Sequence, residues 1–109
     1  MNPKKIFEIH LPEQLNKRGT TLRNINAIYQ FVITGPSGGN WVLDLTADPP
    51  FVKFGISQSP HCIVTIKDED LIAVVCGELD GIKAFMIGKL HVQGDLGLAM
   101  RLPDLFKST

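Results

Sequence analysis

Residues 77–106 spell GELDGIKAFMIGKLHVQGDLGLAMRLPDLF, and this segment is the most informative part of the 109-residue chain. About half of its positions are apolar, and glycines divide it into short pieces. Each piece is too short to bury its own apolar surface, so the pieces must pack against the rest of the chain. The segment contains no nucleophile–base pair and no set of metal ligands. Its apolar surface, flexible methionines and lack of reactive groups indicate a site that holds an apolar ligand.

The rest of the chain supplies the elements against which this segment packs. Alternation of apolar and other residues predicts five strands, at 27–34, 41–46, 51–54, 62–67 and 89–93. The glycine-rich turn 35–40 predicts a hairpin between the first two strands. Helical spacing predicts helices after Asp68, Asp80 and Asp95, the last one ending at Pro103. It also predicts an N-terminal helical stripe in which Pro12 breaks the continuity and can open a second short turn. The predicted fold class is therefore α+β, with an approximately five-stranded, mainly antiparallel sheet covered on one face by helices.

The bulk composition limits the classes of partner. Eleven basic and eleven acidic residues cancel, so the chain lacks the positive surface that binding to nucleic acid requires. The length fits a single domain over residues 1–109. The two cysteines, Cys62 and Cys76, lie in apolar stretches and are expected to be buried free thiols in a reducing compartment. The N-terminus lacks a secretory signal, no apolar run could span a bilayer, and the C-terminal LFKST lacks an SKL-type signal, so we expect a soluble cytoplasmic protein.

The histidines and the acidic run of this sequence do not form a recognisable catalytic motif. His10, His61 and His91 lack HExxH or HxxxH spacing, and no GxSxG, GxGxxG or P-loop motif occurs. The acidic run 68–70 is better explained by helix capping than by a catalytic carboxylate pair. We therefore predict no catalytic residue, no metal and no cofactor.

Three segments together resemble one known family. They are INAIYQFVITGPSGGNWVLDL (25–45), HCIVTIKDEDLIAVVCGELD (61–80) and IKAFMIGKLHVQGDLGLAMRL (82–102). The chain is similar to the sterol carrier protein type 2 domain from about Ile6 to Phe106, and its last segment matches the family pattern AF–x–x–GK–x–x–x–x–G–x–x–GLA. The resemblance implies a five-stranded sheet covered by helices, with an apolar tunnel between them. Family members bind fatty acyl chains, fatty acyl-CoA, sterols or phospholipids, and several transfer lipids between membranes.

The resemblance implies candidate ligand-binding residues in three regions. They are Phe31, Ile33, Trp41 and Leu43 from the sheet, Ile72 and Val75 from the helix after the fourth strand, and Phe85, Met86, Leu96, Met100, Leu102, Leu105 and Phe106 from the informative segment. The alternative for each of them is ordinary core packing, because methionine and aromatic residues fill cores routinely. Lys89 and Arg101 are candidate headgroup contacts at the tunnel mouth, and the alternative for both is a solvated surface charge.

The predicted function is that of a non-catalytic intracellular lipid-binding or lipid-transfer protein. Its expected partners are a fatty acid, acyl-CoA, sterol or phospholipid and, transiently, a membrane. The alternative is an accessory interaction module that forms a homodimer, or that presents a hydrophobic intermediate to an enzyme of a lipid or quinone pathway. An enzyme would require a reactive group of residues that the sequence does not show.

Overall fold

The fold is an α+β arrangement of five strands and several short helices within the described part of the chain. This computed structural model describes residues 1–106, apart from the side chain of Asp104. Residues 107–109, which end the LFKST sequence considered above, lie outside the described residues. The strands are β1 (Ile28–Thr34), β2 (Gly39–Asp44), β3 (Phe51–Phe54), β4 (Cys62–Lys67) and β5 (Leu90–Gly94). The helices are α1 (Pro3–Lys5), α2 (Leu11–Arg23), α3 (Asp68–Val75), α4 (Gly81–Met86), α5 (Leu96–Ala99) and α6 (Leu102–Leu105), with a π-helical segment, Ile6–His10, between α1 and α2.

The strands form one mixed sheet in the order β3-β2-β1-β4-β5. β1 pairs antiparallel with β2, β2 with β3, and β4 with β5, whereas β1 and β4 run parallel. The predicted α+β class, the five strands and the β1–β2 hairpin are confirmed. The parallel pair arises because the chain crosses from the edge strand β3 to the far side of β1. Alternation within a strand cannot predict this crossover, because alternation does not identify the strand's neighbours.

The N-terminal helical region changes from π-helical to α-helical geometry just before Pro12, and the prediction that this proline opens a second helical turn is confirmed. The preceding segment is π-helical, and the Leu11 N–H bonds to the Ile6 carbonyl. Pro12 then occupies the first turn of α2, where a residue without a backbone N–H is tolerated. The helical region buries Phe7, Leu11 and Leu15 against the sheet.

The hydrophobic core lies between one face of the sheet and the helices. Phe7 is fully buried, and its ring centroid lies 4.8 Å from that of Trp41 and 5.0 Å from that of Phe31. On the strands, Tyr29, Phe31 and Leu43 are buried on the same face, as their alternation predicted. The N-terminal region therefore covers the β1–β2 half of this face.

A buried carboxylate joins α3 to the turn after β1. Asp68 accepts hydrogen bonds from the Ser37 N–H at 2.9 Å and from the Glu69 N–H at 2.8 Å. Gly35, with φ +98°, lies so close to this carboxylate that a Cβ atom at position 35 would be 2.5 Å from its Oδ1. Asp68 is the first residue of α3 and Lys67 occupies the N-cap position, so the prediction that the helix starts in this acidic run is correct to within one residue.

The C-terminal segment contains two short helices in place of the single helix predicted to end at Pro103. α5 ends at Ala99, and Pro103 lies in the first turn of α6, where its missing N–H costs no helical hydrogen bond. Pro103 therefore helps to begin a helix. The break between the two helices lets Leu102 and Leu105 both reach the core.

Candidate apolar binding pocket

A pocket of about 620 Å³ lies between the sheet and the segment that follows β4. Its volume falls within the range of about 300–1,000 Å³ that is typical of small-molecule sites. Its lining is mainly apolar, and residues of every element from β4 to α6 take part, together with Phe31 of β1. The structure shows a pocket with half-exposed lining residues at its rim, and the enclosed tunnel stays a prediction.

The floor of the pocket is a row of side chains that crosses three strands. Phe31 pairs with Val64 across the parallel β1–β4 ladder, and Val64 pairs with Val92 across the antiparallel β4–β5 ladder. All three residues line the pocket, as do Ile66 and Leu90, which pair with each other in the neighbouring row. Because paired residues point to the same face of a sheet, the strand register by itself brings these five residues together.

One side wall comes from α3. Leu71, Val74 and Val75 line the pocket, since residues three and four positions apart share one face of a helix. The predicted residue Val75 is in this group. The predicted residue Ile72 is not, because it points to an adjacent sector of the helix and packs, half-buried, against the core.

The opposite rim comes from the turn before α4 and from α4 itself. Asp80 is the N-cap of this helix, and its Oδ1 accepts hydrogen bonds from the N–H groups of Ile82, at 2.8 Å, and Lys83, at 3.4 Å. Ile82 and Phe85 line the pocket, and Phe85 remains 43% exposed. The predicted residue Met86 lies outside the pocket, since it is 78% exposed on the outer side of α4.

The remaining wall is built from residues of the C-terminal segment. Leu96, Met100, Leu102 and Phe106 were predicted as ligand contacts, and all four line the pocket. Leu105 does not, because it is fully buried in the core behind this wall. The structure places these four residues in the pocket wall, and their contact with a ligand stays a prediction.

A hydrogen bond from the sheet holds α5 in this wall. The Tyr29 hydroxyl donates to the Leu98 carbonyl over 2.7 Å. Burial raises the pKa of Tyr29 above its ordinary value, with smaller contributions from the neighbouring Cys62 and Asp95. The hydroxyl is therefore a permanent donor at physiological pH.

Three predicted sheet residues, Ile33, Trp41 and Leu43, lie outside the pocket lining. Phe7 stacks on Trp41, and the Trp41 Nε1–H donates to Glu8 Oε2 over 3.3 Å, so this ring belongs to the contact with the N-terminal helical region. Ile33 and Leu43 are buried in the core. For these three residues, the core-packing alternative agrees with their positions.

Lys89 and Arg101, the candidate headgroup contacts, also lie outside the pocket lining. The Lys89 Nζ atom is 3.8 Å from Asp70 Oδ1, and both Lys89 and Arg101 are exposed. Asp80 alone among the charged side chains that the structure describes lines the pocket. A contact between either cation and a headgroup would require its side chain to move toward the pocket mouth, and it stays a prediction.

Sequence reasoning missed several pocket residues, and for some of them a signal was present. Val64, Ile66 and Val92 alternate along strands that were predicted correctly, but their shared face becomes visible only when β4 is known to pair with β1. Leu71 and Val74 share the helical face of Val75, so the helix period could have identified them.

The polar groups near the pocket show structural roles. Burial, with a smaller contribution from Asp95, raises the pKa of the Cys62 thiol to about 11. The His61 Nδ1 accepts a hydrogen bond from the Ile28 N–H over 2.9 Å. Within residues 1–106, leaving aside the side chain of Asp104, no three His, Cys, Asp or Glu side chains are grouped in a way that could hold a metal ion. No helix in the same part of the chain combines the length and apolarity needed to cross a membrane.

Comparison with known proteins identifies the family. A model of the SCP-2 sterol transfer family matches residues 9–107, and the chain therefore belongs to this family. The resemblance in the sequence is confirmed.

Relatives and solved structures agree with this assignment. Hydroxysteroid dehydrogenase-like protein 2 of Xenopus laevis is 39% identical over 85 residues, which make up 77% of this chain and 20% of that protein. The chain thus spans about a fifth of the length of that relative. The solution structure of sterol carrier protein domain 2 of Helicoverpa armigera is 32% identical, with a TM-score of 0.77 over 97% of this chain and 90% of that chain. Palmitated SCP2L2 of Aedes aegypti is 26% identical, with a TM-score of 0.71 over 97% of this chain and 95% of that chain.

Proposed function

We propose that this chain, as a single domain, is a non-catalytic carrier that binds the apolar part of a lipid in the pocket. The observation that carries the proposal is the mainly apolar lining of a pocket of about 620 Å³. Membership of the SCP-2 sterol transfer family supports it. The similarity to the palmitated SCP2L2 structure supports an acyl chain as one kind of ligand.

The energetics of the pocket favour a long apolar ligand. Each methylene group that leaves water contributes about 0.8 kcal/mol, which corresponds to about a fourfold gain in affinity before ordering costs. Saturated lipids of increasing chain length should therefore bind with steeply rising affinity until the pocket is filled. The rise should then level off, because further methylenes remain in water.

A carrier without catalysis also fits the chemistry of the residues around the pocket. Tyr29 on β1 and Cys62 on β4 lie on strands that form the pocket floor, and burial raises the pKa of this phenol and of this thiol. A nucleophile needs the opposite change, a lowered pKa or an adjacent base that removes the proton.

A pair of methionine variants tests the ligand site. Met100 lines the pocket and is 61% exposed, whereas Met86 lies outside it and is 78% exposed. Both Met100→Arg and Met86→Arg introduce a cation at an exposed position, so both should leave the fold intact. We expect Met100→Arg to weaken the binding of a fluorescent fatty acid by at least about tenfold. The guanidinium group either enters the apolar pocket, where it loses its hydration, or stays at the rim, where it obstructs the entry of the ligand. Met86→Arg should bind within about twofold of the unchanged protein.

Equal affinities for the two variants would remove the pocket from the proposal. Native mass spectrometry of the purified protein gives an independent measurement, since a co-purified lipid adds its mass to that of the chain. The adduct should be present in the unchanged protein and in Met86→Arg, and depleted in Met100→Arg.

A second candidate function is an accessory module that presents a hydrophobic molecule to an enzyme. The observation that favours it is the length of the relative from Xenopus laevis, in which this domain is only 20% of a protein named as dehydrogenase-like. A presenting module should transfer a fluorescent lipid poorly between vesicles when it acts alone. Transfer by the isolated chain at a rate that rises with its concentration would favour the carrier. Gel filtration would at the same time test the predicted homodimer.

A further inference from the structure

The charge at the pocket mouth carries an inference about the kind of headgroup that the pocket accepts. Asp80 contributes an acidic side chain to the lining, and no basic side chain among residues 1–106 does so. A fatty acid bound with its chain in the pocket would therefore meet a carboxylate of the protein and no cation within the lining.

The geometry of Asp80 strengthens this effect. Its Oδ1 accepts hydrogen bonds from the N–H groups of Ile82 and Lys83, which fixes the carboxylate at the start of α4. These two N–H groups are thereby occupied by the protein's own carboxylate, so they are not available as donors to a lipid anion. None of the ion pairs among the described side chains includes Asp80, which is exposed to solvent at the rim.

The free oxygen of the same carboxylate can serve a different headgroup. Oδ2 of Asp80 has no hydrogen-bond donor in the described residues, and a carboxylate oxygen accepts a hydrogen bond from a hydroxyl group. We propose that the pocket prefers a lipid with a neutral, hydroxyl-bearing headgroup to a lipid with a free carboxylate, and that Asp80 sets this preference. The inference rests on the proposed lipid-binding function and adds the class of headgroup.

The test compares two competitors that share a sixteen-carbon chain, palmitate and 1-hexadecanol. Each displaces a bound fluorescent fatty acid from the unchanged protein and from Asp80→Asn. Asn is as good an N-cap as Asp, so the substitution removes the charge and leaves α4 capped. Glu78→Gln is the matched control, because Glu78 is an exposed acidic residue in the same turn and does not line the pocket.

The decisive quantity is the change in the alcohol-to-acid affinity ratio between the two proteins, in which the different solubilities of the competitors cancel. We expect this ratio to fall by about three- to tenfold in Asp80→Asn, in line with two like charges a few ångströms apart at a partly solvated site. Glu78→Gln should leave the ratio within about twofold. A ratio that Asp80→Asn does not change would overturn the inference while leaving lipid binding intact. Failure of the fluorescent fatty acid to bind any of the proteins would refute the proposed function itself.

Discussion

Replacing Tyr29 with Phe removes one hydrogen bond between the sheet and the wall of the pocket. The Tyr29 ring is fully buried on β1, and its hydroxyl reaches the Leu98 carbonyl in α5 over 2.7 Å. Phenylalanine keeps the ring and removes only the oxygen, so the packing of the core is preserved. Any loss of stability should therefore report the hydrogen bond.

The structure also limits the size of that loss. A buried hydrogen bond between neutral groups contributes about 0.5–1.5 kcal/mol to the free energy of unfolding. A buried partner that is left without any hydrogen bond would add a loss of about 1–3 kcal/mol. The Leu98 carbonyl does not become unpaired in the variant, because it also accepts a hydrogen bond from the Arg101 N–H over 3.1 Å. We therefore expect a loss of about 1 kcal/mol in the free energy of unfolding, which lowers the melting temperature by about 4–8 °C.

The same substitution should change how stability depends on alkaline pH. Burial raises the pKa of Tyr29 in the folded protein above the ordinary tyrosine value of about 10. Folding therefore favours the protonated phenol, and this contribution is complete below pH 10 and is lost as the pH rises from there toward the folded pKa. The phenol is absent from Tyr29→Phe, so the variant should lose less stability than the unchanged protein above pH 10. Cys62 titrates in both proteins, and its contribution cancels in the comparison.

Chemical denaturation at neutral pH and at several values above pH 10 measures both effects. Because the sequence has one tyrosine, its ultraviolet absorbance also follows ionisation of Tyr29 directly. The reasoning would be refuted by equal stability at neutral pH together with parallel alkaline losses in the two proteins. Equal stability of the two proteins at neutral pH would contradict a stabilising role of the Tyr29 hydrogen bond. Equal losses of stability above pH 10 would contradict the raised pKa of Tyr29.

Three further substitutions or reactions test other contacts. Gln30→Met should lower the free energy of unfolding by about 2–3 kcal/mol in denaturant titrations. The buried Gln30 amide donates to the Gly55 carbonyl and accepts from the Ser57 N–H, and methionine would leave both of these backbone groups unpaired. A loss below about 0.5 kcal/mol would contradict the role of these two hydrogen bonds. Gly35→Ala should lower the free energy of unfolding by at least about 2 kcal/mol. A Cβ atom at position 35 is strained at this positive φ and would displace the adjacent Asp68 carboxylate. An unchanged melting temperature would be inconsistent with the close approach of Gly35 to Asp68. Both cysteines are free thiols, but the predicted burial is wrong for Cys76, which is exposed just after α3. Alkylation of the folded protein should therefore modify Cys76 at least about tenfold faster than the buried Cys62, and labelling of both at similar rates would argue against the packing of β4.

Much of the fold follows from local patterns in the sequence. Alternation identified β1 and β4, and glycine at position 77 marked the end of α3, where the structure gives it φ +82°. Asp80 and Asp95 cap α4 and α5 as predicted, with side-chain oxygens that accept backbone N–H groups. These features depend on residues within a few positions of one another, so the sequence contains the necessary information.

The errors occur where a local rule depends on the surrounding structure. Pro103 was predicted to end a helix, and Pro12 to break the N-terminal helix and open a second turn, and the structure places both prolines in the first turn of a helix. In both places the preceding segment changes its backbone conformation, so the proline lies where no N–H is required. A sequence pattern identifies the proline and leaves open on which side of it the helix lies.

Prediction of the pocket was limited in the same way. Phe31 was predicted as a lining residue and lies on the floor, whereas Trp41, which pairs directly with it across the hairpin, does not line the pocket. The difference comes from Phe7, which is distant in sequence and covers the β2 side of Phe31. Only the tertiary fold determines which half of an apolar sheet face is filled by the chain itself.

This division of the sheet face explains why the C-terminal half of the chain leaves a pocket. The N-terminal region covers β1 and β2 with about twenty helical residues, whereas β4 and β5 are faced by α3, α4 and α5, which have eight, six and four residues. Helices this short cannot bury their apolar side chains on their own, and Ile82, Phe85 and Leu96 remain about half exposed. A lipid in the pocket would remove part of that apolar surface from water, so the feature that weakens the packing of this half is also what would favour the ligand.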